Sequence, residues 1–300
     1  MRLPRPAWHR LPTARHPRLP QQKSSARNWA DRRRGQNSQD RSVTISIQTA
    51  LERLIEAQSS HRLVPPLSET HGDFTLAHAY AVQDALRAEL ERRGQRPIGW
   101  KLGATSPSGQ AVMGVKEPAC GFLLPRQYAS GAEVSASEFA TLGVEAEVAF
   151  RMRTKLAGPG VTADAAALAV EGAAAALELP DFIFSGRPGV ADFVASSVIA
   201  KAIVLGSHLT PLSAFDVSRE EVEYEHNGEV VATYTAAEVM GNPMNALVWL
   251  ANHLATRGLA LEPGDIIMSG AISKVLRPKV GDTIRATFTH LGSVSVKVAP

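Results

Sequence analysis

Residues 143–150 read GVEAEVAF, and this stretch constrains the fold more than any other part of the sequence. Apolar residues alternate with Glu145 and Glu147, and successive side chains of a β-strand point to opposite faces. The pattern predicts a strand whose core side consists of Val144, Ala146, Val148 and Phe150. The two carboxylates share the other side, about 6.7 Å apart at the backbone. At an effective dielectric of about 20 their repulsion is on the order of 2 kcal/mol. This side must therefore be wet or hold a positive charge.

A shared metal ion is the functional interpretation of this pair, and a solvent-exposed face is the alternative. Oxygen ligands without a Cys or His cluster imply a hard ion, Mg²⁺ or Mn²⁺, and such a site needs a third carboxylate. Glu178 is the strongest candidate, because a charge between Leu177 and Leu179 is costly unless it is paired. Asp181 is a weaker candidate, since an offset of three places it on the other face of a regular strand, and a turn or capping role is its alternative.

Lys101 is a cation for which a functional site and a solvent-exposed position are again the two interpretations. It follows Trp100 in the apolar, glycine-flanked stretch IGWKLG, where it either snorkels to the surface or enters a dry site. Beside a metal and a dry pocket its pKa would be lowered, which suits proton transfer. In the stretch SGAISK, the backbone N–H groups of Ser269 and Gly270 are candidates for binding a substrate carboxylate.

Composition and charge exclude several classes of protein. The single cysteine, Cys120, excludes an internal disulfide framework and a Cys-based zinc site, and no apolar run approaches the roughly 20 residues that span a bilayer. The net charge of +3 comes from residues 1–41, which hold ten arginines and a lysine, so residues 42–300 carry −6. We therefore expect a cytoplasmic protein with neither a nucleic-acid nor a membrane partner.

The proline- and arginine-rich segment of residues 1–45 is predicted to be a disordered basic tail. Upstream sequence from a mis-assigned start, a targeting peptide and an electrostatic arm remain three explanations of it.

The remaining chain, residues 46–300, is predicted to form one α+β domain. Helical patterns are concentrated toward the front, strand patterns toward the back, and no regular βαβ alternation links them. Predicted helices include SIQTALERLIEAQ, TLAHAYAVQDALRAELERRG, NPMNALVWLANHLATRG and the alanine-rich TADAAALAVEGAAAALEL. Predicted strands include IAKAIVLG and a C-terminal meander of DIIMSG, TIRATF and SVSVKV.

Taken together, the motifs resemble the 2-keto-4-pentenoate hydratase and 4-oxalocrotonate decarboxylase family of the fumarylacetoacetase-like superfamily. The stretches that carry the resemblance are GWKLGATS, GVEAEVAF, ALELPD, GNPMNALVWLANHL and PGDIIMSG, in the family's order across residues 46–300. The resemblance implies a mixed β-roll or sandwich core with peripheral helices, and a homo-oligomer. It also implies that Glu145, Glu147 and Glu178 bind Mg²⁺ or Mn²⁺, and that Lys101 is an acid/base or substrate-orienting group.

The implied function is a metal-dependent lyase that hydrates a small 2-hydroxy-2,4-dienoate or 2-oxo-4-enoate in the catabolism of aromatic compounds. Asp181, Ser269 and Gly270 would contact this substrate. Decarboxylation of a 4-oxalocrotonate-type acid at the same site, or a non-catalytic partner subunit, are the alternatives. Hydrolysis of an acylpyruvate-type C–C bond is disfavoured, because the loop ATSPSGQAVMGVKEP lacks histidine.

Two positions depart from the family pattern. Ala119 stands where an acidic residue is common, and Phe182 with Ile183 replaces a polar pair after the third glutamate. Both changes make the predicted site less polar and weigh against a standard hydratase.

Overall fold

A computed structural model of the protein describes residues 45–300, which lie within one compact unit, Ser42–Pro300. The predicted disordered tail lies outside the described residues, except for Ile45. None of the helices in residues 45–300 combines the length and the hydropathy that crossing a bilayer requires.

Seven α-helices lie in the described part of the chain. They are α1 Ile47–Ser60, α2 Leu67–Thr70, α3 Leu76–Arg92, α4 Pro107–Met113, α5 Ala163–Ala169, α6 Val190–Ala195 and α7 Pro243–Thr256. The sequence specifies their starts: the Ser46 and Thr75 side chains accept the backbone N–H groups that open α1 and α3. Pro243 occupies the first turn of α7, and Asn242 caps it. These three predicted helices are confirmed.

Twelve strands within residues 45–300 form two sheets. They are β1 Gly99–Gly103, β2 Ala119–Leu123, β3 Gln127–Ala129, β4 Ala132–Ser135, β5 Glu145–Met152, β6 Val170–Pro180, β7 Ala200–Leu205, β8 Glu221–His226, β9 Glu229–Thr235, β10 Ile266–Met268, β11 Thr283–Phe288 and β12 Gly292–Ala299. The seven-stranded sheet has the order β2-β1-β10-β5-β6-β7-β3, and the five-stranded sheet has the order β4-β12-β11-β8-β9. Both sheets are mixed, as the α+β prediction requires.

The main core contains the apolar face predicted for β5. Val144, Ala146, Val148 and Phe150 have no exposed surface, and they cluster with buried residues of α7 and of the five-stranded sheet. The other face of β5 contributes Ala149 to a smaller apolar cluster on the outer side of the seven-stranded sheet. The alternation read from the sequence therefore separates a core side from a side that carries the glutamates.

The alanine-rich segment does not form the single helix predicted for it. Only α5 is helical, and the chain enters β6 at Val170, where it pairs antiparallel with β5 along nearly its whole length. Ala173 and Ala175 are completely buried in the main core. Sheet pairing and close packing of these small side chains outweigh the helix propensity of alanine.

The C-terminal strands exist, but the predicted meander is wrong. The first of them, β10, lies in the seven-stranded sheet between β1 and β5, whereas β11 and β12 pair in the other sheet. Residues after β10 continue along β5 through a bridge between Val144 and Leu276 before the chain crosses over. Strand order in space is a tertiary property that periodicity does not encode.

One buried hydrogen bond joins the two sheets next to the glutamates, where the Tyr224 hydroxyl donates to the Val144 carbonyl at 2.8 Å. We predict that Tyr224→Phe lowers the free energy of unfolding by about 1 kcal/mol, the usual net value of such a bond. Urea unfolding measures this change. Tyr234→Phe, on the neighbouring strand β9 and only partly buried, is the control; an equal loss in both variants would contradict the prediction.

Candidate metal centre

Three glutamates, the set that the family resemblance implies, converge on one point. Glu145 and Glu178 are direct partners across the β5–β6 pair, and Glu147 lies two residues further along the same face of β5. Each offers a carboxylate oxygen within 4.8 Å of the others. Glu147 and Glu178 are fully buried, and Glu145 is half-buried. The alanine opposite Glu147, Ala176, leaves room on this face of the sheet.

Burial of like charges shifts the protonation of this cluster. Burial raises the pKa of Glu145 to about 7, with the Lys101 ammonium opposing that rise and the Glu178 carboxylate adding to it. The pKa of Glu147 is raised well above its ordinary value by burial and by the carboxylate of Glu178. Without a bound cation, the site therefore takes up protons to reduce its negative charge.

The residues present fit a hard divalent cation. Glu147 Oε1 and Glu178 Oε1 are buried and accept no hydrogen bond from the described residues. An unsatisfied buried acceptor costs about 1–3 kcal/mol, more when it is charged, so these oxygens are suited to metal coordination. Among the described residues this group contains three carboxylates and no Cys or His ligand, which is the oxygen-only donor set that Mg²⁺ and Mn²⁺ prefer.

Lys101 lies at the edge of this cluster. It belongs to β1, is 4% exposed, and its Nζ lies 2.5 Å from Glu178 Oε2. Burial lowers its pKa, but the attraction of the three carboxylates outweighs burial, so the pKa is raised. The lowering expected from a dry pocket is therefore reversed in the protein without an ion. A bound cation would offset the carboxylate charges that cause the rise.

A left-handed turn holds the second partner of Lys101. Ser197, Val198 and Ile199 have φ of 58°, 55° and 52°, and the Val198 carbonyl accepts from Lys101 Nζ at 3.3 Å. Positive φ is rare for β-branched residues and costs on the order of 1–3 kcal/mol. The turn is held by the Ser197 hydroxyl, which donates to the Phe122 carbonyl at 2.8 Å. Strained backbone thus completes the surroundings of the lysine.

The Gly270 backbone orients Glu147. Its N–H donates to Glu147 Oε2 at 2.8 Å, and its φ of 116° lies in the region that favours glycine. The Ser269 N–H donates to the Val148 carbonyl. Both N–H groups are therefore used within the protein, contrary to the expectation that they face a substrate, because the chain after β10 keeps pairing with β5. The buried Ser269 Oγ has no hydrogen-bond partner among the described residues, and substrate contact by either residue stays a prediction.

The structure does not bring Asp181 into the cluster. Its Oδ1 accepts from the backbone N–H groups of Ala140 and Thr141, and its Oδ2 lies 3.4 Å from Lys201 Nζ. These contacts match the turn or capping alternative, and its role in substrate binding stays a prediction.

A small cavity of about 190 Å³ opens beside Lys101 and Glu145. Ala119 lies in its wall, so the residue that replaces an acidic one does face the site. Other wall residues that the sequence did not single out for the site are Thr105, Val198, Ile199 and Phe193. Only the sequence position of Thr105, four residues after Lys101 in the same motif, could have indicated one of them.

Metal binding should strengthen as pH rises. Glu145 has a pKa of about 7 when folded and 4.5 in a model compound, so its contribution to stability is present below pH 4.5 and is lost as pH rises through about 7. A cation replaces that proton, so we predict a larger Mg²⁺-induced rise in Tm at about pH 8 than at about pH 6. Thermal unfolding with EDTA or Mg²⁺ measures it.

Glu147→Gln should abolish most of the Mg²⁺-induced rise in Tm. Glu171 is an exposed glutamate on β6, so Glu171→Gln should keep that rise. A rise that is equal at both pH values would contradict the predicted proton competition.

Gly270→Ala should weaken Mg²⁺ binding by at least about tenfold, a loss within the range known for residues that orient metal ligands. An added Cβ would lie 2.1 Å from Thr105 Oγ1 and would displace the N–H that holds Glu147. Isothermal titration with Mg²⁺ measures the affinity. Gly281→Ala is the matched control, since Gly281 has φ of 96° but no neighbour within 4 Å of the added Cβ; equal losses would show that backbone conformation alone is responsible.

Known proteins share both this fold and its sequence motifs. The family described as fumarylacetoacetate (FAA) hydrolase C-terminal matches residues 108–299. A 2-hydroxyhexa-2,4-dienoate hydratase of Comamonas testosteroni is 31% identical over 255 residues, covering 84% of this chain and 97% of the relative. A 4-oxalocrotonate decarboxylase of Pseudomonas putida is 31% identical over 245 residues, covering 81% of this chain and 91% of the relative.

A solved structure extends the likeness to three dimensions. The 4-oxalocrotonate decarboxylase of Pseudomonas putida G7, in complex with magnesium and adipate, superposes with a TM-score of 0.81 at 28% identity, covering 85% of this chain and 99% of that chain. The predicted α+β fold of the fumarylacetoacetase-like type is thereby confirmed. The chain belongs to the fumarylacetoacetate hydrolase C-terminal family.

Proposed function

We propose that this protein is a divalent-metal-dependent hydratase, a lyase that adds water to a small 2-hydroxy-2,4-dienoate or 2-oxo-4-enoate in the catabolism of aromatic compounds. The observation that carries the proposal is the buried cluster of Glu145, Glu147 and Glu178 beside Lys101 and a small cavity. Relatives named as hydratases of such acids support the reaction.

The three glutamates would hold Mg²⁺ or Mn²⁺, in line with the magnesium complex of the structural relative. The bound ion would act as a Lewis acid that polarises the carbonyl of the 2-oxo acid. The cavity beside Glu145 would take the carboxylate end of the substrate, and its apolar walls would limit access of bulk water.

Lys101 would move the proton. Its Nζ is held between Glu178 and the Val198 carbonyl on the cavity wall, so its position is fixed before substrate binds. A positioned acid/base group contributes typically about 10²–10⁴-fold to a rate. Lys101 would donate a proton to the substrate carbon during ketonisation and recover, through water, the proton that the 2-hydroxyl loses, after which water adds to the conjugated double bond.

Decarboxylation of a 4-oxalocrotonate-type acid is the second candidate. It needs the same polarised carbonyl, and Ala119 in the cavity wall favours it, because a hydratase of this family commonly has an acidic residue there. The product separates the two reactions: hydration adds water, and decarboxylation releases CO₂.

Removing the metal or the lysine should abolish hydration. We predict that EDTA-treated protein loses nearly all turnover of 2-hydroxypenta-2,4-dienoate and regains it with Mg²⁺ or Mn²⁺. Lys101→Gln should lower kcat by about 10²-fold or more. The loss of the dienoate absorbance measures turnover in each case. Lys274→Gln, an exposed lysine in the neighbouring loop, is the control. Full turnover in EDTA, or an unchanged kcat in Lys101→Gln, would contradict the mechanism.

A cytoplasmic location and a homo-oligomeric state complete the proposal. The homo-oligomeric state rests on the resemblance to the fumarylacetoacetase-like superfamily.

A further inference from the structure

The small cavity beside Lys101 lies next to a larger outer chamber. The two share four wall residues: Met113, Phe182, Phe193 and Ile199. The inner cavity has a volume of about 190 Å³ and the outer chamber about 600 Å³. Ligand pockets typically measure roughly 300–1,000 Å³, so the inner cavity has room for a short acid but not for a longer substituent. A substrate that fills the site extends into the chamber.

The chamber wall is mostly apolar. Besides the shared residues it includes Leu63, Val112, Phe184 and Pro188. Val112, at 85% exposed, is the most exposed large apolar side chain among the described residues, and Leu63 is 51% exposed. Apolar side chains that gather at the mouth of a site mark a surface that a ligand covers. Bulk water is a poor occupant for such a chamber.

Phe182 lines both spaces, and the fold leaves room for its ring. A Cβ on Gly143 would lie 2.6 Å from Phe182 Cε2, so the glycine before β5 leaves the room that this ring needs. The Arg277 guanidinium lies 3.9 Å from the centre of the same ring. Phe182 is therefore held in position on both sides, at a place where the family pattern is polar.

The charged groups of the chamber lie at its rim. Arg187 and Arg277 are both exposed, so water already solvates their charges. Arg277 covers Phe182 as a cation–π partner, an interaction that shields the ring. A substrate with a second carboxylate would need these arginines as its binding site, which is the competing interpretation. Arg277 also acts electrostatically on Glu145 at the inner cavity, but the apolar residues that make up most of the chamber wall favour a substrate without that second charge.

We infer that the outer chamber binds an apolar distal group of the substrate, so that the preferred acids carry an alkyl or aryl substituent of several carbons instead of a second carboxylate. This inference rests on the proposed function for the position of the acid head beside Lys101 and Glu145. Each methylene that enters the chamber gains about fourfold in affinity, which corresponds to about 0.8 kcal/mol.

Isothermal titration of the Mg²⁺-loaded protein with three unreactive 2-oxo acids tests the inference. We expect 2-oxooctanoate to bind at least tenfold more tightly than 2-oxobutanoate, and 2-oxoadipate to bind no more tightly than 2-oxobutanoate. Val112→Asp should weaken the binding of 2-oxooctanoate by at least about fivefold and leave the affinity for 2-oxobutanoate unchanged. Val230→Asp, an exposed valine on β9 of the other sheet, is the matched control and should change neither.

If 2-oxoadipate binds more tightly than 2-oxobutanoate and loses this advantage in Arg277→Gln, the inference is overturned in favour of a dicarboxylate substrate. Equal affinity for all three acids, or no binding by any of them, would overturn it as well. Failure of the inference alone leaves hydration of the short dienoate intact, whereas failure of the proposed function appears as no hydration of any dienoate. The two failures are therefore distinguishable.

Discussion

The antiparallel register of β5 and β6 is the constraint on which the rest of the site depends. It places Glu145 directly opposite Glu178, so two negative charges face each other across neighbouring strands inside the protein. Like charges in direct cross-strand contact are unfavourable, and burial adds to the cost. Strand periodicity is 2, so a slip of one residue would turn both glutamates of β5 into the main core. The apolar residues on the opposite face, including Val148, keep the register fixed.

The fold compensates for this concentration of charge from several directions. Lys101 supplies one positive charge from β1, and the Gly270 N–H supplies one hydrogen bond from the segment after β10. Neither contact satisfies Glu147 Oε1 or Glu178 Oε1. The protein without an ion therefore keeps an unfavourable cluster that protons relieve only in part. A divalent cation held by the three carboxylates would relieve it further, which would couple metal binding to the stability of the two central strands.

The sequence predicted the acidic set well because its signal is local. Alternation identified the faces of β5, and a charge between two leucines identified Glu178. Prediction failed where tertiary contacts determine the secondary structure or the hydrogen-bond partner. The alanine-rich segment became a strand because β5 pairs with it, and the Ser269 N–H was unavailable because the chain after β10 continues along β5. The turn around Val198 has no local signal at all, since β-branched residues are the last that a sequence argument would place at positive φ.

The residues that depart from the family pattern lie together around one space. Ala119 and Phe182 are far apart in sequence, yet both line the cavity beside Lys101. The resemblance implies a polar side chain at both positions, so the metal end of the site is acidic while its far side is apolar. The ligands of the metal are set by a strand register that cannot move without losing the core. The far wall comes from the segment after β6 and from α4, a short helix without buried residues, and these can change side chains without disturbing that register. Substrate range can therefore vary in this fold independently of the chemistry that the glutamates support.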